Sequence, residues 1–176
     1  NRGEIARRVF RTAKEMGIFT VAVYSDGDRD APFVTDADLA IALGGTTAAE
    51  SYLDTEKILE AAKSTGADAV HPGYGFLSEN AGFAQAVSDA GLTWIGPPPA
   101  AIAAMGDKLA AKETMVDAEV PTLPSIEVTD STDIGAVGQE IGFPLLVKAS
   151  AGGGGKGMRV VDNEADLEDA ISGAKR

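Results

Sequence analysis

Apolar residues recur at spacings of three and four from Ile5 through Ala6, Val9, Phe10 and Ala13 to Met16, and Arg7, Arg8, Arg11, Lys14 and Glu15 fill positions between them. This period predicts an amphipathic helix over Glu4 to Met16, stopped by Gly17. Phe19 to Tyr24 is a continuous run rich in apolar and β-branched residues, which predicts a buried strand. Ser25 to Asp30 is a loop of turn formers. The alternation then repeats. Strands are expected at Leu39 to Leu43, Ala67 to His71 and Leu92 to Ile95. Helices are expected at Thr55 to Ser64, capped by Asp54, and at Asn80 to Ala90, ended by Gly91. Strands separated by helices of this length predict an α/β fold with a Rossmann-like parallel, twisted sheet and helices on both faces. A leading helix with no strand before it is unusual for such a sheet, so the first strand is expected ahead of residue 1.

After Pro97-Pro98-Pro99 the texture changes. Asp107 to Ala118 predicts a helix rich in Ala and Lys, and Val120 to Pro124 an extended connector, because each proline biases its predecessor away from helix. A helix is expected over Asp130 to Ile141 and strands over Pro144 to Lys148 and Met158 to Val161. Ala151 to Gly157 is a glycine loop between them, and a further helix runs over Asp162 to Lys175. The change falls between Pro97 and Gly106, giving one domain over 1–104 and the beginning of a second over 105–176. No internal repeat is visible.

Composition narrows the function. The 176 residues carry 15 Lys+Arg against 27 Asp+Glu, a formal charge of −12. That balance argues against duplex nucleic acid and against an anionic membrane surface as partners. With no Cys and one His, the chain offers no disulfide, thiolate nucleophile or His-rich metal site. No apolar run approaches the ~20 residues of a membrane span. A soluble, cytoplasmic protein is the resulting expectation. The first residue is Asn rather than Met, which points to part of a longer chain.

Chemistry concentrates in the glycine loop. Gly152, Gly153, Gly154, Gly155 and Gly157 expose backbone N–H groups to close approach, and Lys148 and Lys156 add positive charge to an acidic chain. Phosphate suits such a loop. A dinucleotide fingerprint must open a helix, whereas Arg159-Val160-Val161 reads as strand. A Walker loop fails too, with Ser150 at its first glycine position and Gly157 where Ser or Thr should follow the lysine. The reading left is a strand–glycine hairpin–strand flap over phosphates, or a plain surface hairpin. Lys108, at a predicted helix N-terminus, works against the helix dipole and suits either a bound phosphate or solvent. His71 to Asn80 follows a strand, where ligands gather in open α/β sheets. Its two glycines and aromatics suit a pocket or an ordinary βα connection, and His71 is assigned no chemistry.

Several segments taken together resemble biotin carboxylase, the ATP-grasp component of biotin-dependent acyl-CoA carboxylases, such as those of fatty acid biosynthesis. They are Asn1 to Ala6, Val21 to Ser25, Glu50 to Leu53, His71 to Asn80, Ile95 to Pro97, Met105 to Lys108 and Lys148 to Val161, in family order across nearly the whole chain. His71-Pro72-Gly73-Tyr74-Gly75-Phe76-Leu77-Ser78-Glu79-Asn80 is the most specific. The resemblance implies a pre-ATP-grasp domain followed by the start of an ATP-grasp domain. It implies that ATP phosphorylates bicarbonate to carboxyphosphate, and that the CO₂ released carboxylates biotin on a carrier domain. Lys108 and Lys148 match lysines that contact nucleotide phosphates. Gly152 to Gly155 and Gly157 match the flap over ATP, and Met158 lies where the family packs adenine. Tyr74 and Gly75 match the loop beside biotin. Arg8, Arg11 and Glu15 match a homodimer face, although the same charges suit a solvated helix.

The implied cofactors are ATP, Mg²⁺ and carrier-borne biotin, and the implied partners a biotin carboxyl carrier domain, a carboxyltransferase subunit and a second copy. The family's Mg²⁺ ligands, bicarbonate site and general base fall beyond Arg176, so no residue here is assigned a catalytic or metal role, and the segment alone is expected to be inactive. Two alternatives stay open. Carbamoyl-phosphate synthetase-like and purine-pathway ATP-grasp ligases share the front domain and flap, although Asn1 to Ile5 and His71 to Phe76 favour biotin carboxylase. A non-catalytic dimerisation module or a degenerate nucleotide binder is the other.

Overall fold

The structure is a computed structural model that describes residues 2–106, 108–148 and 158–174. The chain divides into two compact units, Asn1–Asp107 and Lys108–Arg176.

In the first unit, α1 (Gly3–Glu15) buries Ile5 and Ala6. Strand β1 (Val21–Tyr24) pairs in parallel with β2 (Leu39–Ala42), Val21 opposite Leu39 and Tyr24 opposite Ala42. The expected strand at Phe19 begins two residues late because Asp38 captures Thr20. Its carboxylate accepts from the Thr20 N–H at 2.8 Å and the Thr20 hydroxyl at 2.7 Å. Between these strands lies α2 (Pro32–Asp36), which the periodicity did not predict. Five residues are too few to show a helical period, yet Pro32 favours a first turn and Phe33 anchors it, 1% exposed.

Helix α3 (Thr55–Thr65) starts where expected, with the Asp54 carboxylate accepting from the Lys57 N–H at 3.1 Å. Asn80 caps α4 (Ala81–Asp89) in the same way, through the Phe83 N–H at 2.8 Å. Flanking α4, β3 (Ala69–Val70) and β4 (Thr93–Trp94) are parallel neighbours and shorter than predicted. No ladder joins the two strand pairs among the described residues. Helix α5 (Pro99–Gly106) occupies the stretch read as a boundary. Pro99 carries no N–H to leave unpaired at a helix start, so the proline run ends one element and opens another. The core forms three clusters, around Ala6, Ala22 and Phe33, around Leu43, Tyr52 and Ala61, and around Leu77, Phe83 and Val87. Trp94 meets Phe83 edge-on at 5.5 Å in the last.

The second unit holds α6 (Lys108–Asp117), α7 (Ile134–Ile141), β5 (Leu145–Val147), β6 (Arg159–Val161) and α8 (Leu167–Ala174). Helix α7 starts four residues later than predicted because Asp133 caps it, accepting from the Gly135 N–H at 3.0 Å. Before it, the Thr129 N–H donates to the Thr132 hydroxyl in a turn. Helix α8 likewise starts at Leu167, after a 3-10 turn over Glu164–Asp166. Strands β5 and β6 are antiparallel, with Leu145 opposite Val161 and Val147 opposite Arg159. Val137, Leu145, Val161, Leu167, Ala170 and Ile171 form one core between the strands and the two last helices.

Phe33→Ala is expected to lower the unfolding free energy by about 3–5 kcal/mol in urea titration. Leu123→Ala, at a site 85% exposed, is expected to stay within about 0.5 kcal/mol of the parent.

Candidate functional site

Chain order brings three loops of the first unit to the carboxyl ends of β1, β2 and β3. Ser25 and Asp28 follow β1, Tyr52 follows β2, and Gly73 to Phe76 follow β3. A single oxygen joins the first two loops to the start of α1. Asp28 Oδ2 accepts from Arg2 at 2.8 Å, from the Tyr52 hydroxyl at 2.6 Å and from the Ser25 hydroxyl at 3.3 Å. The Tyr52 hydroxyl accepts in turn from the Ser25 N–H at 3.0 Å. Burial by itself would raise the Asp28 carboxyl; the hydrogen bonds from Tyr52 and Arg2 and the Arg2 charge outweigh it and hold the group below the usual carboxylate range. Burial and the bond to Asp28 push the Tyr52 phenol upward.

The third loop is tied in through rings. Phe76 stacks on Tyr52 with centroids 5.6 Å apart and planes 16° from parallel. The Arg2 guanidinium lies over both, 5.5 Å from the Tyr52 centroid and 5.8 Å from that of Phe76. Tyr74 is 63% exposed, and its hydroxyl reaches Glu4 Oε2 at 3.3 Å. Gly75, at φ 68°, supplies a bend that a residue with a Cβ resists. His71 Nδ1 accepts from the Gly73 N–H at 3.0 Å, which leaves Nδ1 without a proton. Desolvation, with a smaller contribution from the Arg8 charge, holds the imidazole below its ordinary value. The ring therefore braces the loop as a neutral group.

Beside this face, Arg2, Arg7, Arg8, Arg11, Asp28 and Phe33 line an open cleft of about 540 Å³. Arg7 Nε pairs with Asp36 at 2.5 Å. Of the predicted dimer face, Arg8 and Arg11 line this cleft, while Glu15 lies exposed at the far end of α1.

The residues expected on the nucleotide side belong to the second unit. Lys148 leaves β5 and Met158 enters β6, both exposed, immediately beside the paired Val147 and Arg159. The segment between these lysine and methionine positions thus joins adjacent ends of two antiparallel strands. Gly152, Gly153, Gly154, Gly155 and Gly157 lie outside the described residues, as does the side chain of Lys108, whose backbone opens α6. Among the described residues no group of three or more His, Asp or Glu could hold a metal ion, and no helix is long and apolar enough to cross a membrane. Sequence reading missed Arg2, Asp28, Tyr52 and Phe76 as a cluster. The one signal was that three of them fall within segments already singled out.

Residues 1–102 match the family described as the biotin carboxylase N-terminal domain. The chain belongs to that family. Residues 107–176 match the ATP binding domain of the carbamoyl-phosphate synthase L chain. The biotin carboxylase of Haemophilus influenzae is 51% identical over 99% of this chain and 40% of its own length. The mitochondrial methylcrotonoyl-CoA carboxylase subunit alpha of Dictyostelium discoideum is 51% identical over 100% of this chain and 26% of its own length. The chain therefore spans well under half of these relatives. Among solved structures, a biotin carboxylase–β,γ-ATP complex from Campylobacter jejuni superposes with a TM-score of 0.87 at 45% identity, covering 99% of this chain and 40% of that one. The biotin carboxylase domain dimer of Hydrogenobacter thermophilus 2-oxoglutarate carboxylase, with MgADP and bicarbonate, gives 0.82 at 45% identity, covering 99% of this chain and 40% of that one.

Asp28 is held low in the fold, so the stability it contributes is present above the unfolded value of 3.8 and lost as pH falls through the folded one. The stability gap between the parent and Asp28→Asn, read from urea midpoints, is expected to narrow below about pH 4. A gap unchanged into that range would contradict the assignment.

Proposed function

We propose that this chain is the front part of a biotin carboxylase, with 1–104 as its N-terminal domain and 105–176 as the beginning of its ATP-grasp domain. The reaction is ATP-dependent carboxylation of carrier-borne biotin. A bicarbonate oxygen attacks the γ-phosphorus and ADP leaves. The carboxyphosphate so formed releases CO₂ and phosphate, and biotin N1′ takes up the CO₂ as its proton passes to that phosphate. The antiparallel β5–β6 pair carries this reading, because it joins the glycine run to strands on both sides, as a flap requires and a Walker or dinucleotide loop does not.

In this reading the chain's own residues position and neutralise charge, which is most of what phosphoryl transfer asks of a protein. Lys108 and Lys148 meet the nucleotide phosphates. The N–H groups of Gly152, Gly153, Gly154, Gly155 and Gly157 close over them, and Met158 packs against the adenine. Tyr74 and Gly75 face biotin. The described residues hold no acidic cluster suited to Mg²⁺, so no step is assigned through the metal here. Arg8, Arg11 and Glu15 contribute to a homodimer face, and a carrier domain and a carboxyltransferase complete the assembly. The match of residues 1–102 favours this reading over a carbamoyl-phosphate synthetase-like ligase.

The test is bicarbonate-dependent ATP cleavage stimulated by free biotin, measured on the full-length chain. Lys148→Ala is expected to lower kcat/KM for ATP by about 10²-fold or more. Tyr74→Ala is expected to raise KM for biotin with little change in KM for ATP. The 176-residue segment expressed alone is expected to show no turnover. Turnover by the full chain that ignores biotin would contradict the proposal.

A further inference from the structure

Two contacts run from the first turn of α1 to the loop after β3. Arg2 covers the Phe76 ring, and Glu4 accepts from the Tyr74 hydroxyl. Between them Gly3 adopts φ 65°, a left-handed conformation that a residue with a Cβ resists. This turn lets Arg2 fold back over the rings while Glu4 already belongs to the helix.

The loop so held is under conformational constraint. Gly75 has φ 68° and Phe76 has φ 50°, the latter unusual for a residue with a bulky side chain. Such a conformation persists only where surrounding contacts hold it. Phe76 makes two such contacts through its ring, with Tyr52 and with Arg2. Its ring is 38% exposed and stacks on Tyr52, which is 4% exposed and fixed by Asp28 and Ser25. Arg2 supplies the other of these, using its edge for the Asp28 carboxylate and its plane for the two rings. A lysine could keep the ion pair but has no plane to lay on the rings.

We infer that Arg2 is a positioning residue, whose guanidinium clamps the Tyr52–Phe76 ring pair and so fixes the Gly75–Phe76 bend that presents Tyr74 and Gly75 to biotin. The inference rests on the proposed function for its last clause only. The clamp itself concerns the conformation of residues 73–77.

Arg2→Lys, Phe76→Leu, Phe76→Tyr and the Arg2→Lys/Phe76→Leu double variant are compared in the full-length chain. Arg2→Lys is expected to raise KM for biotin by about tenfold, with KM for ATP within about twofold of the parent. Phe76→Leu should match it, Phe76→Tyr should restore the parent value, and the double variant should be no worse than either single one. Hydrogen exchange supplies the second readout. Amides of residues 73–77 should exchange faster in Arg2→Lys, with those of α4 unchanged. Additive losses, equal losses in both KM values, or unchanged exchange at 73–77 would overturn the clamp. If the parent chain shows no biotin-dependent turnover, the functional reading fails by itself, and exchange at 73–77 still decides the clamp.

Discussion

Asp28 Oδ2 accepts from Arg2, Tyr52 and Ser25, and through that oxygen the loops leaving β1 and β2 are locked to each other and to the start of α1. A partly buried carboxylate loses some of its hydration, and such donors make up for it. Here the demand organises a surface. The three donors come from separate stretches of chain, so satisfying one anion fixes their relative positions. The loop after β3 then joins through the stacked rings rather than through further polar bonds. In an open α/β sheet this end of the strands is where ligands collect. The architecture thus ties three loops together at that end of the strands.

The second unit solves a different problem. A phosphate-binding loop needs backbone N–H groups with no side chains in the way, which glycines supply. Pairing β5 with β6 brings the residues flanking the glycine run, Lys148 and Met158, to adjacent strand ends. The core residues Val137, Leu145, Val161, Leu167 and Ile171 hold the strands against α7 and α8. Lys148 and Met158 sit at the mouth of the pair, both exposed.

Much of this order was legible in the residues. The period of α1 and the cap Asp54 state their helices directly, because both signals are local. The parallel character of β1–β2 and β3–β4 followed from the alternation with helices. Local reasoning failed where elements were too short or too ambiguous. Helix α2 has no room for a period, and the prolines before α5 read as a stop although Pro99 is a start. At the site, the glycine run announced itself by composition. The Arg2–Asp28–Tyr52–Phe76 cluster did not, because Arg2 and Asp28 stand 26 positions apart and Tyr52 a further 24 along. Only the fold brings them together, and no window along the chain contains all four.

The central claim is that the residues joining β5 to β6 close over the phosphates of ATP. Hydrogen exchange of the full-length chain, with and without a non-hydrolysable ATP analogue and Mg²⁺, tests it most directly. The account predicts slower exchange across 148–158 when the nucleotide is present, reversed in Lys148→Ala. Nucleotide binding that leaves this segment unprotected would contradict it.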